Sequence, residues 1–568
     1  MFSPLAWCGP GLLRLSGKPV GTFLRPARAL MAAMDAQGLP SEPGVRAPIW
    51  QVGPYVPAKG ALLLFELALR AFWSNTSLAV PVLLFTGLSS MASLISVITL
   101  VGLLAYLTST GYLRVLVDAV MAFDLGRLLS ILASPGVLWA LIVLLAVSLA
   151  GSIFMGALAS AFSYSGLYRM AEELLAKGRT NLSTFLEGMS KNWRRLFPAA
   201  LVVKTMTDIP TWLMVLFIFY RALSTAALTP TSPAFLFEAL ALIILLLVYL
   251  ISVLLLTFYV LVAAALRPDL GLLACFKASF RTLARKPGDT LLLIIFEAAL
   301  RAGLAFLANL LMLVSVDLTS LVSLVILLVL EPVFQVARVG IFMQAEDSTV
   351  YLEPAEWKIR AGISRSFHEG FKSLRSFLSA PENISLVLWA ILPMAVGVVL
   401  GVLVGSMEDL RYAVRALGFL RPGLINPRMR WPYGLPTSFY IAFYNWRLAI
   451  SSATSGILAG VPVLLFLFAN GLVIGLVGAL IGDPAMALAA LLPHGVVEMP
   501  AFLLASACGL RMGLAYRAFL KGQIDLDKFA SVVRSCIYAL VGLLPLFVLA
   551  GLIEGLVTPQ VMSAFGWA

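Results

Sequence analysis

The chain has 568 residues, 61% of them hydrophobic and only 12% charged, with a mean hydropathy of +0.98. Soluble domains run at about 45–50% apolar and about 25% charged, so this chain lacks the polar surface to solvate a globular core, and a soluble enzyme is excluded. The net charge of +12 does not mark a nucleic-acid binder: the basic residues collect in short loops between apolar runs, without zinc-finger spacing, an RNA-binding sheet signature or a long basic run.

Residues 1–57 read as a flexible cytoplasmic segment. Arg14, Lys18 and Arg25 interrupt any signal-peptide core, and Met31 or Met34 is a candidate start. Beyond it the apolar runs predict an all-α polytopic transmembrane helical bundle of about eleven spans, since a crossing takes about 20 apolar residues. The expected spans are 79–108, 136–166, 197–227, 234–266, 289–316, 318–343, 383–406, 447–469, 470–483, 484–514 and 535–557. The ninth is short, and Asn470-Gly471 is a candidate break that would make it re-entrant. The polar stretch Gln344–Ser348 followed by Pro354 divides the chain into a six-span module (58–345) and a five-span module (355–568).

Charge sets the expected orientation. Basic residues fill the loops at 167–196, 267–288, 344–382 and 515–534, among them Arg169, Lys191, Arg281, Lys372 and Lys521. Eleven spans put all four on the side of the N-terminus. The excess of Lys and Arg assigns that side to the cytoplasm of a cell membrane, with the C-terminus outside. The loop 407–446 falls outside despite five arginines, and its aromatic residues suit a membrane–water interface.

Four amphipathic stretches precede outward-going spans: Phe65, Leu69, Phe72; Phe185, Met189, Trp193; Phe276, Phe280, Leu283; and Phe367, Phe371, Leu374. Their helical spacing predicts collars on the inner leaflet, apolar face down, or else plain connecting helices. Cys8, Cys275, Cys508 and Cys536 form no CxxC motif or disulfide framework.

Ionisable residues inside the apolar runs carry the functional information, because a charge at membrane depth is expensive and faces a protein interior or a cavity. His494 and Glu498 stand at i, i+4 on one helix face, with Pro493 able to open or kink the helix and Gly495 allowing close backbone approach. The candidate partners of this polar intramembrane cluster are Asn445, Arg447, Asn470 and Glu554. No HExxH zinc helix is present, and the other histidine, His368, lies in a cytoplasmic stretch. A third metal ligand would have to be Glu554 or an asparagine, so no metal, no cofactor and no catalytic residue is assigned. The six-span module has two i, i+4 pairs, Lys204 with Asp208 and Glu297 with Arg301, each able to neutralise itself. Glu331 and Arg338 follow in the sixth span.

The C-terminal module resembles the stage II sporulation protein M family from about Ser366 to Pro559. The resemblance rests on Phe367-His368-Glu369-Gly370-Phe371, Asn445 with Arg447, Asn470-Gly471, Pro493-His494-Gly495-Val496-Val497-Glu498, and Ile553-Glu554-Gly555-Leu556-Val557-Thr558-Pro559. The PHGxxE string is its specific element. Tyr444 and Trp446 flank Asn445 where the family often has a second Asn. The N-terminal module looks more loosely like the membrane domain attached to some glycerophosphodiester phosphodiesterases, without the soluble catalytic domain. The family's namesake is a membrane scaffold for peptidoglycan-degrading partners, so the resemblance implies a scaffold. The expected function is a non-enzymatic scaffold or accessory subunit in the lipid bilayer, partnered by other membrane or envelope proteins. A transporter or channel for an ion or lipid-like substrate is the alternative, and an intramembrane hydrolase the third reading.

Overall fold

The computed structural model describes residues 56–57, 60–226, 233–312, 319–348, 350–352, 359–417 and 434–565. Most of the N-terminal segment, and Arg421, Arg428 and Arg430 of the 407–446 loop, lie outside the described residues. Apart from a two-residue antiparallel ladder between Val56–Pro57 and Tyr351–Leu352, the regular structure is helical.

In chain order the helices are α1 (Ala61–Ser74), α2 (Ala79–Ser109), α3 (Tyr112–Met121), α4 (Leu125–Leu132), α5 (Pro135–Lys177), α6 (Leu182–Ala226), α7 (Pro233–Thr257), α8 (Val260–Leu266), α9 (Leu272–Arg285) and α10 (Pro287–Met312). α11 (Thr319–Val325) runs through a π-helical turn at Ile326–Leu330 into α12 (Glu331–Ala345). Then come α13 (Ile359–Leu378), α14 (Pro381–Gly405), α15 (Glu408–Ala416), α16 (Gly434–Ser455), α17 (Val461–Ile481), α18 (Pro484–Leu520) and α19 (Leu526–Gly542). α20 (Leu544–Leu552) passes through a second π turn, Ile553–Val557, into α21 (Thr558–Ala564).

Among the described residues, 10 helical segments are long and apolar enough to cross a membrane, which makes this a multi-pass membrane protein. α16 runs beside them as a more polar 22-residue helix. Thr454 of α16 donates a hydrogen bond to the Leu83 carbonyl of α2 at 3.0 Å. Trp446 donates to the Leu540 carbonyl at 2.8 Å. Gly551 and Gly555 pack on Ala442 and Ser438.

The eighth and ninth spans differ from expectation. Asn470-Gly471 is not a break: α17 is continuous from Val461 to Ile481. Asn470 donates its amide to the Phe466 carbonyl one turn back, at 2.8 Å. Gly471 serves close packing instead, because a Cβ there would overlap the Met394 carbonyl of α14. The chain turns at 456–460, where Ala459 and Gly460 have positive φ (57° and 81°), so residues 470–481 are the second half of one helix and not a re-entrant segment.

The amphipathic stretches also divide differently. Phe185 and Met189 are fully buried near the start of the continuous helix α6, and the loop expected at 167–196 shrinks to the turn between α5 and α6. On α1, Phe65 packs against Phe296 and Phe334 inside the protein, and not down onto lipid. α9 and α13 form separate helices, each with an exposed phenylalanine, Phe280 and Phe371.

Polar contacts sort the connections into two ends. At one end Asn75 accepts from the Thr180 amide, Arg195 donates to the carbonyls of Arg267 and Leu270, Arg267 pairs with Glu346, and Arg285 donates to the Ala345 carbonyl. At the other, Tyr412 of α15 donates to Asp118 of α3 at 2.6 Å, with Arg114 and Asp409 at 3.8 Å. α5 has 43 residues. At 1.5 Å per residue that is about 65 Å, twice the ~30 Å apolar core of a bilayer, so α5 and α6 project from the membrane at the basic end.

Candidate intramembrane polar site

α18 begins at a well-formed cap: Asp483 accepts from the Ala485 amide at 2.9 Å and Pro484 takes the first helical position. Pro493 and Pro500 lie inside the helix, which continues through both and is not opened by either. They remove two backbone donors, but Ala501 to Cys508 pack closely enough to hold the helix. His494 is the eleventh residue of α18, about 15 Å from its start by helical rise. Glu498 follows one turn deeper on the same face.

Glu554 reaches the same place from the π turn between α20 and α21. In that turn the Thr558 amide bonds to the Ile553 carbonyl, five residues back. The extra residue per turn widens the helix locally, a feature found often at functional positions. One ligand atom from each of His494, Glu498 and Glu554 lies within 4.8 Å of the other two. His494 Nε2 is 4.0 Å from a Glu554 carboxylate oxygen. His494 Nδ1 is 3.4 Å from the Thr558 hydroxyl, which donates to the Ile553 carbonyl at 3.3 Å. Asn445, from the middle of α16, turns its side-chain amide toward the Glu498 carboxylate as a neighbouring neutral donor.

Three helical segments thus bring together His494, Glu498, Glu554 and Asn445. The other two candidates stand apart. Asn470 spends its amide on its own helix. Arg447, two residues from Asn445 and so on another face of α16, lies over the Tyr444 ring at 5.7 Å. Thr558 is the residue that sequence reasoning missed; its signal was the i, i+4 spacing from Glu554.

The charged pairs of the N-terminal half make a different kind of site. Lys204 and Asp208 pair along α6 at 3.0 Å, with Thr207 donating to the same carboxylate. Glu297 and Arg301 do not close on themselves. Arg301 donates to Glu297 at 2.7 Å and also binds Glu331 of α12. Glu331 accepts from Gln335 at 2.7 Å and Tyr164 at 3.3 Å. Arg338 lies 3.7 Å from Glu297 and stacks on Phe258. Two glutamates and two arginines balance there. Around His494, by contrast, two glutamates meet only neutral partners.

Residues 390–559 match the family model of stage II sporulation protein M. The match begins inside α14, later than the Ser366 expected from the sequence, and it takes in all four clustered residues and Thr558. It does not enter residues 58–345, and the expected likeness of that module to a phosphodiesterase membrane domain finds no support in it. No curated protein and no solved structure matches the chain significantly.

Proposed function

We infer that this protein works without catalysis, as a rigid membrane scaffold or accessory subunit that holds other membrane or envelope proteins. The observation carrying this reading is a reciprocal glycine seam in the region that matches the family model. Gly397, Gly401 and Gly405 of α14 abut the backbone at Phe468, Leu472 and Leu476 of α17. Gly471 and Gly475 of α17 abut Met394 and Val398 in return. A second seam joins Gly456 and Gly460 to Gly509 and Gly513 of α18. Small residues let membrane helices approach this closely, and packing is their main source of affinity. Alternating access needs one bundle to rock on another; interlocked backbones oppose such sliding. The outward face of α14, with Leu388, Trp389, Leu392, Val399 and Leu403 exposed, offers an apolar surface to lipid or to a membrane partner. The excess of Lys and Arg assigns the basic end, and the N-terminus, to the cytoplasm.

Transport is the second reading, favoured by the approach of Glu498 and Glu554 at depth without a cationic partner. Spin labels on α14, α17 and α18 in nanodiscs, combined with proton, sodium and zinc flux in proteoliposomes, separate the two. A scaffold gives one distance distribution per label pair and flux no higher than in empty vesicles. Two distributions with flux that Glu498→Gln abolishes would replace it with transport.

A further inference from the structure

We propose that His494, Glu498 and Glu554 form a binding site for a divalent first-row transition-metal ion, held by the His494 Nε2 nitrogen and one oxygen of each carboxylate. The proposal does not depend on the scaffold reading.

Three observations converge on it. The first is the tautomer. The Thr558 hydroxyl gives its proton to the Ile553 carbonyl, so toward His494 it is an acceptor. With the hydroxyl proton on that carbonyl, Nδ1 carries the ring proton, which leaves Nε2 with its lone pair free 4.0 Å from a Glu554 carboxylate oxygen. A lone pair facing a carboxylate oxygen repels unless a cation or proton lies between them. A histidine whose far nitrogen is anchored by a hydrogen bond is the usual arrangement of a metal-ligating imidazole.

The second is charge. Among the described residues no Lys or Arg pairs with Glu498 or Glu554. Two carboxylates in a low-dielectric interior need a counter-charge. A divalent ion with two carboxylates and one neutral imidazole sums to zero. The Glu297–Arg301–Glu331–Arg338 cluster shows how the same chain neutralises buried carboxylates when no ligand is required.

The third is reach. Three atoms within 4.8 Å of one another fit a circle of radius about 2.8 Å, so inward shifts of about 0.7 Å bring them to the ~2.0–2.2 Å of zinc–nitrogen and zinc–oxygen bonds. Glutamate torsions supply such shifts without moving a helix. Asn445 of α16 is the neutral donor beside Glu498 that would orient that ligand. An imidazole among oxygen ligands favours transition metals over magnesium or calcium. The His494 and Glu554 side chains are 14% and 31% exposed, so neither is sealed inside the bundle.

The test uses the full chain without a histidine tag, stripped with chelator, in nanodiscs. Zinc is titrated by equilibrium dialysis with metal analysis, and cobalt(II) by its visible absorption. One equivalent is expected, with an X-ray absorption shell of nitrogen and oxygen only, including one imidazole. The isosteric Glu498→Gln variant, which keeps the packing, is expected to weaken zinc at least 10-fold. The His494→Ala/Glu554→Gln variant is expected to weaken it at least 100-fold. His368→Ala, which changes the only other histidine, is expected to bind as the parent does. Absence of stoichiometric zinc and cobalt binding, sulfur in the shell, or zinc affinity unchanged in both Glu498→Gln and His494→Ala/Glu554→Gln would each overturn the proposal.

Discussion

Gly397 of α14 and Phe468 of α17 meet backbone to backbone, so closely that a methyl group on Gly397 would overlap the Phe468 carbonyl oxygen. The obstructing atom is main chain and cannot rotate away. Gly397→Leu is therefore expected to destabilise the fold by about 1–3 kcal/mol or more, the usual cost of forced overpacking. Gly102 of α2 has no atom within 4 Å of where its Cβ would stand, so Gly102→Ala is expected to be neutral or slightly stabilising, by up to about 1 kcal/mol. Unfolding midpoints in mixed micelles check both; equal effects at the two positions would contradict the seam.

The two charged systems of the N-terminal half should respond to substitution by very different amounts. Arg301 holds two carboxylates, Glu297 and Glu331, from different helices. Arg301→Met leaves both without their shared partner and is expected to cost about 3–5 kcal/mol, as for other broken buried pairs. Lys204 and Asp208 pair along one helix. Replacing both, as Lys204→Met with Asp208→Leu, removes no net charge and is expected to change stability by less than about 1 kcal/mol, since apolar replacement of whole pairs is often neutral. The same unfolding assay reads both.

The ends of the bundle are separable by chemistry. Thr180 and Glu346 belong to the basic end, Tyr412 and Asp118 to the opposite one. In sealed vesicles of one orientation, single cysteines at Thr180→Cys and Glu346→Cys are expected to react with a membrane-impermeant maleimide from the same side, and Tyr412→Cys from the other. The resident Cys275, Cys508 and Cys536 are buried and give little background, and the fourth cysteine, Cys8, is replaced beforehand by Cys8→Ser. Labelling of all three positions from one side would contradict the alternation of the helices.

Apolar length made the crossings legible, since a bilayer demands about 20 such residues whatever the fold. The Asn470-Gly471 error has a physical cause. In water that pair reads as a turn, whereas between packed membrane helices glycine is a contact residue and asparagine can bond its own helix. The actual turn carried a signal of its own, Gly460 followed by Pro462, that the apolar run around it obscured. His494 and Glu498 were visible as a helix-face pair, and Glu554 as the one carboxylate able to join them. What spacing could not reveal is the π turn, which lies where Gly551 and Gly555 pack closely on Gly434, Ser438 and Ala442 of α16. Thr558 escaped for a related reason: hydroxyls in apolar helices commonly bond back to their own helix, and this one does so while also meeting His494.

That double role of Thr558 yields the last prediction. In the proposed metal site its hydroxyl fixes which imidazole nitrogen carries the proton, and so which is free toward the carboxylates. Thr558→Val keeps the shape and burial of the side chain but removes the acceptor for Nδ1–H, leaving that buried donor unpaired and the ring free to adopt the other tautomer. Outer hydrogen-bond partners of metal-ligating histidines are worth about 10–100-fold in affinity. Thr558→Val is expected to weaken zinc binding within that range while the stoichiometry stays at one, and Thr558→Ser, which restores the hydroxyl, to recover most of the loss. A structural role alone would show in the unfolding midpoint without moving zinc affinity. The two variants compared by dialysis and by unfolding therefore distinguish a residue that orients a ligand from one that merely fills space.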